Sequence, residues 1–300
     1  MSASVRKRVA FLGTGLMGAP MVKRLLGAGF AVSVWNRSHE KASHLAIDGA
    51  VVSTSAADAV RNADVVFAML TNEQAFDELF FADVTIIEAL RAGAVVVEGS
   101  SVLPEASRRH AERLRKHGVQ YLDAPVSGGV AGAAAGTLAI MVGGDAPTFL
   151  RLADVFAPLG RATHVGPTGS GQLAKLGNQQ IVAVTIGAVA EAMLLVQRGG
   201  GDPAAFRAAI RGGFAESRIL ELHGQRMIER NFEPGGTSAN QLKDLNNILS
   251  TAVELGLALP LTAAVQKQFA AFVQEGGADR DHSALLVHLE GRNSDGKGRT

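Results

Sequence analysis

Two short apolar runs flank a glycine-rich turn and an amphipathic helix near the start of the chain, and this arrangement constrains the fold more than any other stretch. Val9–Leu12 has the length and apolarity of a buried strand, and Gly13-Thr14-Gly15-Leu16-Met17-Gly18 follows it at once. Ala19–Ala28 then places Met21, Val22, Leu25 and Leu26 at helical spacing, Gly29 is set to end that helix, and Phe30–Trp35 supplies a second strand. Strand, glycine turn, helix and strand in this order predict a dinucleotide-binding βαβ unit. The first glycine allows the tight turn, the second leaves room for a pyrophosphate, and the third lets helix and strand approach. The helix N-terminus offers unpaired N–H groups and a positive dipole end to the phosphates. Gly13, Gly15, Leu16, Met17 and Gly18 are therefore candidate cofactor-binding residues. A tight turn that binds nothing is the plain alternative, and the flanking elements weigh against it.

The end of the second strand bears on which dinucleotide. A site that prefers NAD usually carries Asp or Glu there, bonded to the ribose 2′-hydroxyl. This chain has Asn36-Arg37-Ser38. A carboxylate would repel a 2′-phosphate, whereas a guanidinium can hold it with paired hydrogen bonds. The expectation is NADP as preferred cofactor, with Arg37 as selector and NAD possible. The alternative is that Arg37 is a solvated surface residue.

Apolar strands continue to alternate with helices: Ala50–Val52, Asp64–Leu70, Ala94–Glu98 and Gln120–Asp123 as strands, and His39–Ile47 (with Ser38 as N-cap), Ser55–Arg61, Glu73–Arg91 and Pro104–His117 as helices. This is the pattern of a doubly wound parallel sheet in an α/β domain. Ligands sit at the carboxyl ends of such strands, so Leu70 and Thr71 should face the cofactor. Asp123–Val142 is glycine-rich, and glycine costs about 1 kcal/mol relative to alanine inside a helix. Ser127-Gly128-Gly129 is read as a turn able to cradle an anion, with Thr137–Gly143 as a late strand; an ordinary flexible loop is an equal alternative. Gly160–Gly171 reads as a domain boundary, Gln172–Arg198 as one long helix, and the remainder as helices only. The expected division is a Rossmann domain over 1–166, an all-α domain over 167–290 and a disordered tail over 291–300.

With 300 residues, 47% of them hydrophobic, and a net charge of +1, the chain has ample material for two packed cores and no bias toward nucleic acid. There is no cysteine, which excludes disulfide and thiol chemistry and suits a cytoplasmic location. No signal-peptide pattern opens the chain. The apolar stretch Ile181–Ala190 is stopped by Glu191, short of the roughly 20 residues that span a bilayer, so no membrane partner is expected. The eight histidines show no metal-ligand spacing, and no catalytic metal is expected. Lys175 and Asn178 are three apart on one helical face beside the expected boundary. A lysine can serve as acid/base for a carbonyl–alcohol pair, though an ordinary lysine titrates at about 10.4, so the oxidative direction needs a lowered pKa or alkaline conditions. From spacing alone a solvated helix lysine is the stronger reading, and the pair Lys243-Asp244 is equally ambiguous.

Four blocks then line up with one family: FLGTGLMGAPM, DAPVSGGVAGAAAGTL, GSGQLAKLGNQQ and QLKDLNNIL, in family order, within a match running from Val9 to Glu290. The sequence closely resembles the β-hydroxyacid dehydrogenases. The resemblance implies a Rossmann domain followed by an all-α domain linked by a long helix. It implies NAD(P)-dependent interconversion of a small carboxylated aldehyde and its 3-hydroxy acid. It implies that Ser127, Gly128 and Gly129 hold the substrate carboxylate, that Lys175 is the acid/base, that Asn178 orients the substrate, and that Lys243 reaches cofactor and substrate. Leu70, Thr71 and Ser101 match cofactor-contacting positions, and a homodimer or homotetramer is implied. Gly212–Met227 looks more like the tartronate semialdehyde reductase branch than the 3-hydroxyisobutyrate branch. Gln179 stands where many members have a second Asn, Gly236 where many carry Phe, and Ser101 replaces a common Thr. Imine reductases and non-catalytic relatives of this scaffold generally lack the lysine, so Lys175 weighs against both.

Overall fold

The computed structural model describes residues 6–294. It forms two compact units, one ending at Lys175 and the other beginning at Leu176.

The first unit is built on a sheet in the order β3-β2-β1-β4-β5-β6-β8-β7, with β9 paired to β8. Its strands are β1 (Arg8–Leu12), β2 (Ala31–Trp35), β3 (Val51–Val52), β4 (Val65–Ala68), β5 (Val95–Glu98), β6 (Gln120–Asp123), β7 (Val126–Ser127), β8 (Leu138–Gly144) and β9 (Gly160–Gly166). The first six are parallel, while β8 runs antiparallel to β6 and β7. Alternate residues of the parallel strands enter two separate cores: Val9, Phe11, Val65, Phe67, Val95 and Val97 in one, Ala10, Leu12, Val66, Ala68 and Val96 in the other. Both faces are covered by helices, which is why these strands read as unbroken apolar runs rather than alternating ones. The helices are α1 (Gly18–Gly27), α2 (His39–Ser43), α3 (Ala56–Val60), α4 (Glu73–Phe81), α5 (Thr85–Ala89), α6 (Pro104–Arg115), α7 (Gly129–Ala135), α8 (Ala146–Arg151) and α9 (Ala153–Phe156). Asn72 caps α4 by accepting the Ala75 N–H, and Ser55 caps α3 by accepting that of Asp58.

α10 (Ser170–Arg198) is a single 29-residue helix. The second unit adds α11 (Pro203–Ala209), α12 (Gln225–Glu229), α13 (Ser238–Glu254), α14 (Pro260–Phe272) and α15 (Leu285–Arg292), with π-helical turns at Leu220–Gly224 and Val273–Gly277. Its core joins Ile186, Ala190 and Met193 of α10 to Leu245, Phe269, Leu285 and Leu289. Among its described residues the β-structure amounts to one isolated bridge, Thr237 with Asp281.

Several local expectations need correction. Residues 129–135 form a helix despite their glycines: four alanines carry it, and at Gly132 a Cβ would crowd Leu138 Cδ2 at 3.2 Å, so the glycine permits close packing. Ser38 stands at the N-cap of α2 without a side-chain bond, and that helix gives way to a 3₁₀ turn at His44–Asp48. Residues 160–166, read as turn-rich, are strand β9, and the two compact units meet at Lys175 and Leu176, within the first turns of α10. α10 continues past Glu191, so by length and composition it is apolar enough to cross a membrane, a test that the core helix of a soluble protein also passes. At the other end, α15 runs through Arg292, and Asn293 bonds the Leu289 carbonyl from both its backbone and side-chain nitrogens. Residues 291–294 are thus ordered, and the rest of the expected tail lies outside the described residues.

Candidate active site

The glycine turn separates three jobs by geometry. Gly13 has φ +98°, and a Cβ there would lie 2.2 Å from the Met69 carbonyl oxygen, so only glycine fits between β1 and the end of β4. Gly18 opens α1, where a Cβ would lie 2.0 Å from the Gly13 oxygen. At Gly15 nothing lies within 4 Å; the space beside it is open, as a pyrophosphate cradle requires. Leu16 is exposed and Met17 half-buried beside it. The Thr14 hydroxyl is buried without a partner in the same turn.

A cleft of about 340 Å³ runs from this turn along the ends of β1, β2 and β4. It brings together Gly13, Gly15, Asn36, Arg37, Ser38, Leu70 and Thr71, all read from the sequence as cofactor-binding. Leu16, Met17, Gly18 and Ser101 do not line it. Asn36 acts first as a brace: its Oδ1 accepts the Thr14 N–H at 3.1 Å and its Nδ2 donates to the Ser38 carbonyl at 3.0 Å. Lys41 also lines the cleft, a second cation beside Arg37 that the sequence reading missed. Its position on α2, one helical turn past Arg37, was the available signal. Trp35 and Met69 complete the wall. The open cradle and the paired cations fit a phosphorylated dinucleotide.

Ser127 ends β7 half-buried, paired with Ala139 of β8. Gly128 follows with φ +136°, a conformation that side chains rarely adopt, and Gly129 begins α7 with open space around it. Lys175, half-buried on α10, closes the first unit, whereas Asn178 and Lys243 belong to the second. There the structure joins them through a chain of polar groups. Asn178 Nδ2 donates to Gln179 Oε1 at 2.9 Å, Gln179 Nε2 donates to Asp244 Oδ2 at 2.7 Å, and Lys243 Nζ lies 3.3 Å from Asp244 Oδ1. Gln179 is the link that ties α10 to α13.

Histidine spacing along the chain concealed one cluster. His223, Asp281 and His282 offer ligand atoms within 4.8 Å of one another. The buried Asp281 carboxylate is already engaged: Ser283 donates its N–H and hydroxyl to Oδ1, the Gly235 and Gly236 N–H groups reach Oδ2, and Arg226 Nη1 lies 3.3 Å from Oδ2. A guanidinium on the same carboxylate opposes a cation there, and the cluster braces the loop that leads into α13. Burial works to raise the Asp281 carboxyl, but the His223 imidazole, the Ser283 hydroxyl and His282 outweigh it and hold it well below the carboxylate range. Burial, followed by the charge of His223, pushes His282 down to about 4. An unfolded histidine titrates near 6.5, so between pH 6.5 and 4 the unfolded chain binds a proton that the folded ring refuses. The contribution of the neutral ring is complete above pH 6.5 and is lost as pH falls toward 4; Asp281 loses its contribution in the same direction, at lower pH. The melting temperature should therefore fall across this interval, and His282→Asn should flatten the fall. An unaltered slope in the variant would assign the loss elsewhere.

With this geometry in view, the comparisons with known proteins are informative. The family profile described as the NAD binding domain of 6-phosphogluconate dehydrogenase matches residues 8–167, and that described as NAD-binding of NADP-dependent 3-hydroxyisobutyrate dehydrogenase matches residues 169–289. The 2-hydroxy-3-oxopropionate reductase of Escherichia coli is 43% identical, over 94% of this chain and 97% of its own. An NAD-dependent L-serine dehydrogenase of Pseudomonas aeruginosa is 34% identical over 93% and 96%. The structure of Mycobacterium tuberculosis 3-hydroxyisobutyrate dehydrogenase with L-serine superposes with a TM-score of 0.87 at 33% identity, covering 95% of this chain and 99% of that one. Fold, glycine cradle and relatives together define an NAD(P)-dependent oxidoreductase that acts on CH–OH donors. Matches of this length and identity make the chain a member of the β-hydroxyacid dehydrogenase family.

Proposed function

We propose that the protein is a reductase of a small carboxylated aldehyde, tartronate semialdehyde or a close analogue, forming the corresponding 3-hydroxy acid with NADPH preferred over NADH. The observation that carries this reading is the 43% identity to the 2-hydroxy-3-oxopropionate reductase across nearly the full length of both chains. When bound, the nicotinamide supplies the hydride to the carbonyl carbon. The Lys175 ammonium donates the proton to the carbonyl oxygen, so that the aldehyde becomes an alcohol and the lysine is reprotonated from solvent. The Ser127 hydroxyl and the N–H groups of Gly128 and Gly129 hold the substrate carboxylate, Asn178 orients the substrate, and Lys243 lends positive charge to cofactor and substrate. Oxidation of a 3-hydroxy acid such as L-serine or 3-hydroxyisobutyrate is the second reading, favoured by the relatives bearing those names. A panel of semialdehydes and 3-hydroxy acids with both cofactors separates the two. Highest kcat/KM for a semialdehyde supports the first reading, and highest for a hydroxy acid supports the second.

The NADP preference rests on Arg37 and Lys41 at the cleft. A charge-assisted bond to a phosphate is worth about 1.5–3 kcal/mol, and about 1.4 kcal/mol is a factor of ten. Arg37→Ala should lower kcat/KM for NADPH by roughly 10- to 100-fold while leaving NADH nearly unaffected. An unchanged NADPH preference would remove Arg37 as selector. We further propose a cytoplasmic homodimer or homotetramer with no membrane or nucleic-acid partner; the exposed Ile181 and Leu195 of α10 are apolar surface that a second copy would cover. Light scattering in solution would return the monomer mass if this is wrong.

A further inference from the structure

The start of α10 is tied to the sheet by two fully buried polar side chains that the proposed chemistry does not use. Asp123 ends β6 with no exposed surface. Its Oδ1 accepts the Gly169 N–H at 2.8 Å and its Oδ2 the Gln172 N–H at 3.0 Å. N–H groups at a helix start have no partner within the helix, and a carboxylate there also meets the positive end of the dipole. Gln172 reaches the other way: its Nε2 donates to the Ser100 carbonyl at 2.8 Å and its Oε1 accepts the Val102 N–H at 3.2 Å. Ser100 Oγ in turn accepts the Leu70 N–H at 2.8 Å. The ends of β4, β5 and β6 and the first turn of α10 are thus one hydrogen-bonded piece inside the first unit.

The approach is close enough to demand glycine. A Cβ at Gly171 would lie 2.5 Å from the Met141 oxygen and 2.6 Å from the Asp123 carbonyl oxygen. One at Gly143 would lie 2.6 Å from Asp123 Oδ1. The arrangement also has a cost. Burial raises the Asp123 carboxyl, the two N–H bonds oppose that, and the Glu98 carboxylate, directly opposite in the β5–β6 register, raises it further. Two adjacent buried acids are an expensive way to anchor a helix whose apolar side chains could pack instead. What the device controls is position. Ser101 lies between the two residues that Gln172 grips, and Lys175 lies three residues further along α10, about 4.5 Å up its axis.

We propose that Asp123 and Gln172 are positioning residues that set Lys175 at a fixed distance from the cofactor-facing edge formed by Leu70 and Thr71. The proposal rests on the reading of Lys175 as the proton donor. A displacement of about 1 Å in such a group can cost roughly 100-fold in rate.

The test uses the full chain saturated with NADPH. Gln172→Met keeps the length of the side chain and removes both amide bonds. Asp123→Asn turns one acceptor into a donor, so one of the two N–H groups loses its partner. Turnover, KM for the aldehyde, NADPH dissociation constant and melting temperature are measured for each, and Gln172→Met is repeated in a Lys175→Ala background. The expected result is a kcat lowered about 10- to 100-fold, with the NADPH dissociation constant changed less than about threefold. In the Lys175→Ala background the same substitution should change the residual turnover less than about threefold, because an effect exerted through Lys175 cannot be lost twice. A kcat within threefold of the unmodified chain, with Lys175→Ala inactive, overturns the proposal while sparing the lysine. So does an equal loss from Gln172→Met with and without Lys175. Near-normal turnover in Lys175→Ala alone removes the lysine reading, and this proposal with it. If Asp123→Asn does not fold, Gln172→Met decides the matter.

Discussion

Replacing Lys175 with alanine is expected to lower turnover about a thousandfold while NADPH still binds with nearly its original affinity. Positioned proton transfer typically contributes 10²–10⁴ in rate, and Lys175, on α10, is the proposed donor. Cofactor affinity should survive because the cleft that fits the dinucleotide is lined from β1, β2 and β4, not from α10. Lys175→Arg sharpens the test. A guanidinium keeps the positive charge but gives up its proton only above about pH 12. If the lysine merely attracts a carboxylate, the arginine variant should retain much of its activity. If it donates the proton, both variants should be similarly slow, with the arginine variant showing the lower KM. Turnover near normal in Lys175→Ala would end the proposed mechanism.

Two substitutions one turn apart in the glycine motif should fail in opposite ways. At Gly15 the backbone is one that other residues adopt and the neighbouring space is open, so Gly15→Ala should fold with an unchanged melting temperature. Its methyl group would stand where the pyrophosphate must approach the backbone, and the NADPH dissociation constant should rise by roughly 10- to 100-fold, the scale of one or two lost charge-assisted bonds. At Gly18 the added carbon would overlap the Gly13 carbonyl oxygen at 2.0 Å, a backbone atom that cannot swing aside. Gly18→Ala should therefore destabilise the first unit by about 1–3 kcal/mol or more. A calorimetric scan and a fluorescence titration on each variant distinguish the two effects. Equal loss of stability at both positions would mean that the cradle at Gly15 is not open in solution.

Much of this site could be read from the linear chain because its parts are local. The glycine turn, Arg37 at the end of β2 and Leu70 at the end of β4 each follow directly from a strand, and parallel strands deliver their carboxyl ends to one edge. The helix at Gly129–Ala135 was misread because glycine propensity was weighed without the packing of α7 against α1. The extent of α10 was legible, Gln172–Arg198 as read against Ser170–Arg198 as folded; the break in its apolar run at Glu191 is a residue turned to solvent while Ile186, Ala190 and Met193 enter the core.

What the order of residues determined unaided was the class of fold and the glycine cradle, since each depends on periodicity or on a few neighbours in the chain; the role given to Lys175 came from the family resemblance and stands as a proposal. Only the folded molecule revealed Lys41 in the cleft, Gln179 as the bridge from Asn178 to Asp244, the His223–Asp281–His282 brace, and Asp123 with Gln172 at the head of α10. The last three of these join residues dozens of positions apart. Such partners are chosen by the burial of unpaired N–H groups and charges, a requirement that exists only once the chain has closed around them.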